Sequence, residues 1–215
     1  MTFNLLLGNS LLWTILFFVL VVLAVLTQHT MAQSVRYVVR GPVKAAPAAF
    51  LAALSWYSQS SLLVTFAFLL CACGDVLLDL SKAGFSRAFE AGATIFAVAL
   101  ICLSVAFLGK PLDGGPLLPL ALSNAILALF VCLWVLPKIR STWRAPAVVY
   151  LLVLVVSNVV AATSVVPVFL GSTLWLLSDL AIGLGRHIPG SPANGLTNLG
   201  LYDLGLYFIA LAFLS

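Results

Sequence analysis

The sequence predicts an all-α membrane protein, a single bundle of about eight transmembrane helices. Composition is the first indication, because 63% of the 215 residues are hydrophobic and only 7% are charged. Mean hydropathy is +1.21, well above the range of soluble domains. The spacing of the apolar runs is the second indication, since only short polar connections separate them. We therefore treat residues 1–215 as one polytopic domain.

Apolar segments of about the length needed to cross hydrocarbon recur along the chain. They cover residues 5–26, 43–57, 61–80, 88–109, 116–136, 146–164, 166–185 and 197–214. The first segment has no Lys or Arg before it and is longer than the apolar core of a signal peptide, so we assign it as the first span. Pro167 gives a physical reason to separate the sixth segment from the seventh.

Positive charge is concentrated in alternate connections between these segments. Nine of the ten Lys and Arg residues lie in or beside odd-numbered connections, and only Lys110 lies in an even-numbered one. By the positive-inside rule, the odd connections face the cytoplasm and both termini are non-cytoplasmic. Topology and contact with anionic headgroups then explain the formal net charge of +4, and no nucleic acid partner is expected.

Several polar residues interrupt the apolar segments at one level, in the half expected to lie nearest the cytoplasm. An ionisable residue within a span costs roughly 2.5–3.5 kcal/mol and usually faces a bundle interior or a watery cavity. A shared depth therefore predicts a shared site. The residues are Lys44, Asp75, Asp79, Glu90, Tyr150, Ser178, Asp179, Tyr202 and Asp203.

Asp75 and Asp179 lie deeper than Asp79 and Glu90, which are also open to the simpler interpretation of solvated interface residues. Two carboxylates brought close in a dry site do not both ionise easily, so one is expected to hold a proton while the other remains an anion. Asp79 is expected to lie nearer water. The pattern suits acid–base catalysis and equally a proton-coupled carrier, so both classes of function stay open.

Cysteine and histidine form no metal-binding pattern. Cys71 and Cys73 have no partner pair at zinc-site spacing, and His29 and His187 have no Cys or second His at ligand spacing. Nucleophile-elbow, Walker and Rossmann motifs are absent from the sequence. We expect neither a metal nor a cofactor.

Five stretches of the sequence look familiar as an ordered set: "VKAAPAAFLAAL", "LLCACGDVLLDL", "VVYLLVLVV", "LGSTLWLLSDLAIGLGRHIPG" and "LYDLGLYFIAL". Together they resemble the second helix, the Gly-Asp motif, the sixth helix, the Ser-Asp motif and the last helix of the YhhN-like lysoplasmalogenase family. The resemblance spans residues 40 to 212. It departs from the family where Ala99 and Leu100 replace a common His, and where Asp203 and Leu206 replace a Tyr and a Gln.

The resemblance implies hydrolysis of the vinyl-ether bond of lysoplasmalogens to a fatty aldehyde and glycerophosphoethanolamine or glycerophosphocholine. It makes Asp75 and Asp179 the expected catalytic acids, supported by Lys44, Asp79, Glu90, Tyr150, Ser178, Arg186, Tyr202 and Asp203. Lys44 and Arg186 are at the right level to bind a phosphate. The expected partners are the lysophospholipid and bilayer lipids, in a bacterial cytoplasmic membrane or a eukaryotic endomembrane. A proton-coupled transporter or lipid carrier is the alternative.

The positive-inside pattern predicts that both termini are non-cytoplasmic. A reporter that is active only in the cytoplasm, fused after Ser215, should be inactive, whereas the same reporter inserted between Lys138 and Arg140 should be active. An active C-terminal fusion would contradict the topology and the depths derived from it.

Overall fold

The structure, a computed structural model, describes residues 3–30, 36–85, 87–110, 117–185 and 195–214. Within these ranges the chain forms eight α-helices and no β-strand, which confirms the all-α class. The helices are α1 (Phe3–Thr30), α2 (Arg36–Tyr57), α3 (Leu62–Lys82), α4 (Ala88–Leu108), α5 (Leu118–Val135), α6 (Ser141–Ala161), α7 (Val166–Gly185) and α8 (Gly195–Leu214). A 3-10 turn, Leu136–Lys138, extends α5.

Five of these helices are long and apolar enough to cross a membrane: α3, α4, α5 with its 3-10 turn, α6 and α7. The described parts of α1 and α8 hold shorter apolar stretches, Leu11–Thr27 and Asn198–Leu214. The chain is therefore a multi-pass membrane protein by length and apolarity. Eight spans, the orientation of the bundle and the type of membrane stay predictions.

Helix α2 begins seven residues before the predicted start at residue 43, and it continues through Pro42 and Pro47. The sequence pattern favours a start after Pro42, because proline removes an interior backbone hydrogen bond. Tertiary packing outweighs that preference here. Gly41 packs against the α3 backbone at Val76, and Arg40 forms an ion pair with Asp79 on α3.

The helices pack mainly on their neighbours in sequence, with α3 between α2 and α4, and α8 against α7, α2 and α1. One apolar core joins most of them, and its largest fully buried side chains include Trp175, Phe68, Phe107 and Leu206. Phe89 at the start of α4 contacts Trp143 at the start of α6, with ring centroids 5.6 Å apart. Lys82, Arg87, Lys138, Arg140 and Arg144 therefore mark one end of the bundle, which we call the cationic end.

Two glycines set the closest approach between α7 and α8. A Cβ atom on Gly171 would lie 2.5 Å from the carbonyl oxygen of Gly205, and a Cβ atom on Gly205 would lie 2.8 Å from the carbonyl oxygen of Gly171. These contacts involve backbone atoms, which cannot move aside as a flexible side chain can. Small residues at such a crossing let two membrane helices approach closely, and here they fix α7 against α8.

The α7–α8 crossing predicts that Gly171→Ala lowers stability by about 1–3 kcal/mol, because the added methyl group forces the two backbones apart. Gly200→Ala is a matched control, since no atom lies within 4 Å of its Cβ position. That change should be neutral or stabilise α8 by up to about 1 kcal/mol. Thermal unfolding in detergent measures both variants, and equal melting temperatures would contradict the assignment.

Candidate active site

A buried ion pair joins α2 to α3 inside the bundle. The ammonium Nζ of Lys44 lies 2.7 Å from Oδ1 of Asp75, and the two side chains are 14% and 1% exposed. Neither Asp75 oxygen makes a hydrogen bond of good geometry with the described residues. Gly74, the residue before Asp75, lets α4 pack closely on α3. A Cβ atom at this position would lie only 2.7 Å from the Phe96 ring of α4.

Lys44 occupies a central position among the carboxylates of the bundle. Besides Asp75, it interacts electrostatically with Asp79 and Asp203, and with Asp179. Lys44 was expected to bind the phosphate of a substrate. The structure instead engages it with a carboxylate, so its first role is to compensate the charge of Asp75.

Asp79 forms a second buried group, with two cations. Arg40 donates from Nε to Oδ2 at 2.6 Å and from a terminal nitrogen to Oδ1 at 2.9 Å. Lys82 donates to Oδ1 at 3.0 Å. The Asp79 side chain is 0% exposed, so the simpler interpretation of a solvated interface residue was wrong for Asp79. It lies close to the helix end, but the long side chains of Arg40 and Lys82 cover it.

Asp179 is held by a hydroxyl group rather than by a cation in contact. The phenolic hydroxyl of Tyr150 on α6 donates to Asp179 Oδ2 at 2.7 Å. The neighbouring Ser178 is buried and donates from Oγ to the carbonyl oxygen of Asn198 at 2.8 Å. The Ser178 contact links α7 to α8 and leaves Asp179 to face Tyr150.

Three aromatic rings pack together beside the two predicted catalytic acids. Phe96, Trp175 and Tyr202 pack edge to face, with centroids 5.3–6.1 Å apart. Tyr202 interacts with Asp75, and Trp175 interacts with Asp179. The acids also act on each other electrostatically, but each has its own nearer partner, so a directly shared proton is not what the geometry shows. Trp175 was not among the site residues predicted from the sequence.

The remaining predicted site residues differ in burial and in whether the structure describes them. Asp203 on α8 is 1% exposed, and neither carboxyl oxygen has a hydrogen-bond partner among the described residues. Glu90 is exposed on α4, apart from the buried acids. Arg186 lies outside the described residues. The structure thus brings together Lys44, Asp75, Asp79, Tyr150, Ser178, Asp179, Tyr202 and Asp203, and adds Arg40, Lys82 and Trp175.

Charge balance among the described residues leaves one acid in excess. The cluster has four carboxyl groups, on Asp75, Asp79, Asp179 and Asp203, and three cations, on Arg40, Lys44 and Lys82. A net charge in a low-dielectric interior is costly. A cluster with one protonated carboxyl group would be neutral.

A second polar network lies in the other half of the bundle, and sequence reasoning missed it. Asn124 on α5 donates to Asn158 on α6 at 3.2 Å and to Thr173 on α7 at 3.1 Å. Asn158 donates to Ser172 and Thr173 at 3.3 and 3.1 Å. Asn124 and Asn158 lie within predicted spans, but the sequence could not show that both face the same junction.

Metal binding by the described residues has no geometric basis, because they contain no group of three or more His, Cys, Asp or Glu side chains that could hold a metal ion. The prediction of metal-free chemistry stays a prediction.

The fold and the cluster define a class: a polytopic helical membrane protein with buried carboxyl groups compensated by cations near one end. The YhhN family model matches residues 39–213, so the chain belongs to the YhhN family. This confirms the family resemblance seen in the sequence. Comparison with curated proteins gives no match, and neither does comparison with solved structures.

The Arg40–Asp79 contact predicts that Asp79→Asn lowers stability by about 3–5 kcal/mol, because it removes a buried negative charge that two cations face. Lys82→Gln should cost at most about 1 kcal/mol, because the Lys82 side chain is 46% exposed. The double variant Arg40→Gln/Asp79→Asn should lose less stability than the sum of the losses caused by Arg40→Gln alone and Asp79→Asn alone. Additive losses in thermal unfolding would show that the two residues do not act as a pair.

Proposed function

We propose that the protein is a lysoplasmalogenase-like hydrolase that cleaves the vinyl-ether bond of lysoplasmalogens. The observation that carries the proposal is the buried cluster, in which acids with different partners lie around one lysine. Membership of the YhhN family supports the same reaction class. The products would be a fatty aldehyde and a glycerophospho-alcohol.

Vinyl-ether hydrolysis needs a proton donor and an anion. Proton transfer to the β-carbon creates an oxocarbenium ion, water adds to it, and the hemiacetal collapses to aldehyde and alcohol. Glycosidases meet a related demand with two carboxyl groups. The excess acid of the cluster supplies the proton, and carboxylates that face Lys44 or Tyr150 stabilise the cation and orient water.

The depth of the cluster suits a single-chain amphiphile. Asp75 lies seven residues before the end of α3 at Lys82, and Asp179 lies six before the end of α7 at Gly185. At 1.5 Å per residue both lie about 10 Å from the cationic end. A lipid with its headgroup at that end and its chain in the bilayer would bring the ether bond to their level. The half-exposed Lys82 is the cation of the cluster best placed for phosphate.

A second candidate is a proton-coupled transporter or lipid carrier that uses the same acids. The network of Asn124, Asn158, Ser172 and Thr173 favours it, because it places polar groups in the other half of the bundle. Its donors and acceptors, however, hydrogen-bond to one another across three helices. This arrangement suits a fixed helix junction better than a transport pathway for a proton or a lipid.

The decisive experiment incubates purified protein with a lysoplasmalogen and measures fatty aldehyde. The saturated alkyl-ether lipid with the same headgroup is the control, since it has no double bond to protonate. Aldehyde from the alkenyl lipid alone supports the hydrolase. Substrate-driven pH change inside proteoliposomes, without aldehyde, would instead support the carrier.

The predicted roles of Asp75 and Asp179 can be tested by exchanging each carboxyl group for an amide of similar volume. Asp75→Asn and Asp179→Asn should each lower kcat by about 10²–10⁴-fold, the usual contribution of acid–base groups. The double variant should lose less than the product of the single effects. Cys73→Ala is the matched control on the exposed side of α3 and should keep activity. Turnover within a fewfold of wild type in either aspartate variant, at normal membrane levels, would refute its catalytic role.

A further inference from the structure

Asp203 differs from the other acids of the cluster in having no compensating group in contact. Asp75 has Lys44, Asp79 has Arg40 and Lys82, and Asp179 has the Tyr150 hydroxyl group. Asp203 has no such partner among the described residues, and neither of its carboxyl oxygens makes a hydrogen bond with them.

Burial makes this difference consequential. Asp203 is 1% exposed, and an ionised carboxylate in such surroundings costs several kcal/mol unless a cation or hydrogen-bond donor compensates it. Among the described residues, the charged groups that act on Asp203 are Lys44, which attracts a negative charge, and Asp75, which repels it. Since Lys44 is already in contact with Asp75, a second carboxylate beside that pair would be in excess.

We infer that Asp203 is the acid that holds the excess proton of the cluster and donates it to the vinyl-ether carbon of the substrate. This inference rests on the proposed function and changes its assignment of roles. Asp75 and Asp179 are then the anions of the site, and Asp203 is the proton donor.

The reaction balances with these three residues and one water molecule. The Asp203 carboxyl group transfers its proton to the β-carbon of the alkenyl chain, and the electron pair of the double bond forms the new C–H bond. The ether oxygen shares its lone pair with the α-carbon, giving an oxocarbenium ion that faces Asp75 or Asp179. Water adds to the α-carbon, and its proton returns to Asp203. The hemiacetal C–O bond then breaks while the hydroxyl proton moves to the departing oxygen, which releases the aldehyde and the alcohol.

The neighbours of Asp203 suit this role. Tyr202, the preceding residue, is buried and has a hydroxyl group without a hydrogen-bond partner among the described residues. It interacts with Asp75. A polar part of a substrate, or the attacking water, that bonded to Tyr202 would lie between the proton donor on α8 and the anion on α3.

Infrared spectroscopy can locate the proton without any substrate, because a protonated carboxyl group has a carbonyl stretch that is separate from the carboxylate bands. Wild-type protein at neutral pH should show this band, and Asp203→Asn should lose it. Glu90→Gln, which removes an exposed carboxyl group, should retain it. A band that persists in Asp203→Asn would overturn the inference.

Kinetics test the transfer itself. Asp203→Asn should lower kcat by about 10²–10⁴-fold with little change in KM, while Asp203→Glu, which keeps an acid, should recover part of the activity. Wild-type turnover should also slow several-fold in D₂O, because a proton moves to carbon. Near-normal turnover of Asp203→Asn would overturn the donor role even if the infrared band is lost.

The two measurements separate failure of this inference from failure of the proposed function. If wild-type protein forms no aldehyde, the hydrolase proposal is wrong and the donor role falls with it, but the band still decides whether Asp203 holds the proton. If Asp203→Asn does not fold, the carbonyl stretch of Asp203→Glu is compared with that of wild-type protein instead. A changed frequency supports the assignment, and an unchanged one overturns it.

Discussion

The ion pair between Lys44 and Asp75 is the interaction on which the rest of the site depends. Burying a charged lysine or aspartate alone within an apolar bundle would be costly, and each of the two charges compensates the other. The pair requires α2 and α3 to lie close together, and Gly41 provides that contact by packing on the α3 backbone. Gly74, next to Asp75 in sequence, lets Phe96 of α4 pack closely on α3. Arg40, one turn before Lys44, then reaches Asp79, one turn after Asp75, and the two helices are joined twice.

Different partners give chemically different acids within one small cluster. Asp75 and Asp79 face cations, Asp179 faces a hydroxyl group, and Asp203 contacts neither among the described residues. Acid–base catalysis needs this kind of inequality, because one group must keep a proton while another stays charged. The α7–α8 crossing at Gly171 and Gly205 contributes directly, since it fixes the helix that carries Asp203 against the helix that carries Asp179.

Depth along a helix could be predicted from the sequence, but the direction of each side chain could not. The apolar runs and their spacing gave the helices, and the polar interruptions gave the level of Asp75, Asp179 and Asp203. Their partners depend on helix rotation and packing, which an almost uniformly apolar helix leaves undetermined. Arg40 and Lys82 were therefore counted only as topology signals, and Glu90 was included although it is exposed. The early start of α2 was missed for a related reason, because its prolines predict a break that contacts with α3 override.

The position of the cluster also bears on how a lipid hydrolase would release its products. Cleavage at the vinyl ether separates an apolar aldehyde from a charged glycerophospho-alcohol, and these two molecules prefer opposite surroundings. A site about 10 Å below the cationic end is near enough for the charged product to leave past Lys82. The aldehyde would leave sideways into the bilayer, where exposed side chains at a similar depth, such as Phe130 on α5, are apolar. A site at the bundle centre would bury the charged product, and a site at the surface would expose the oxocarbenium ion to water. For the proposed hydrolase, the depth of the cluster would avoid both of these costs.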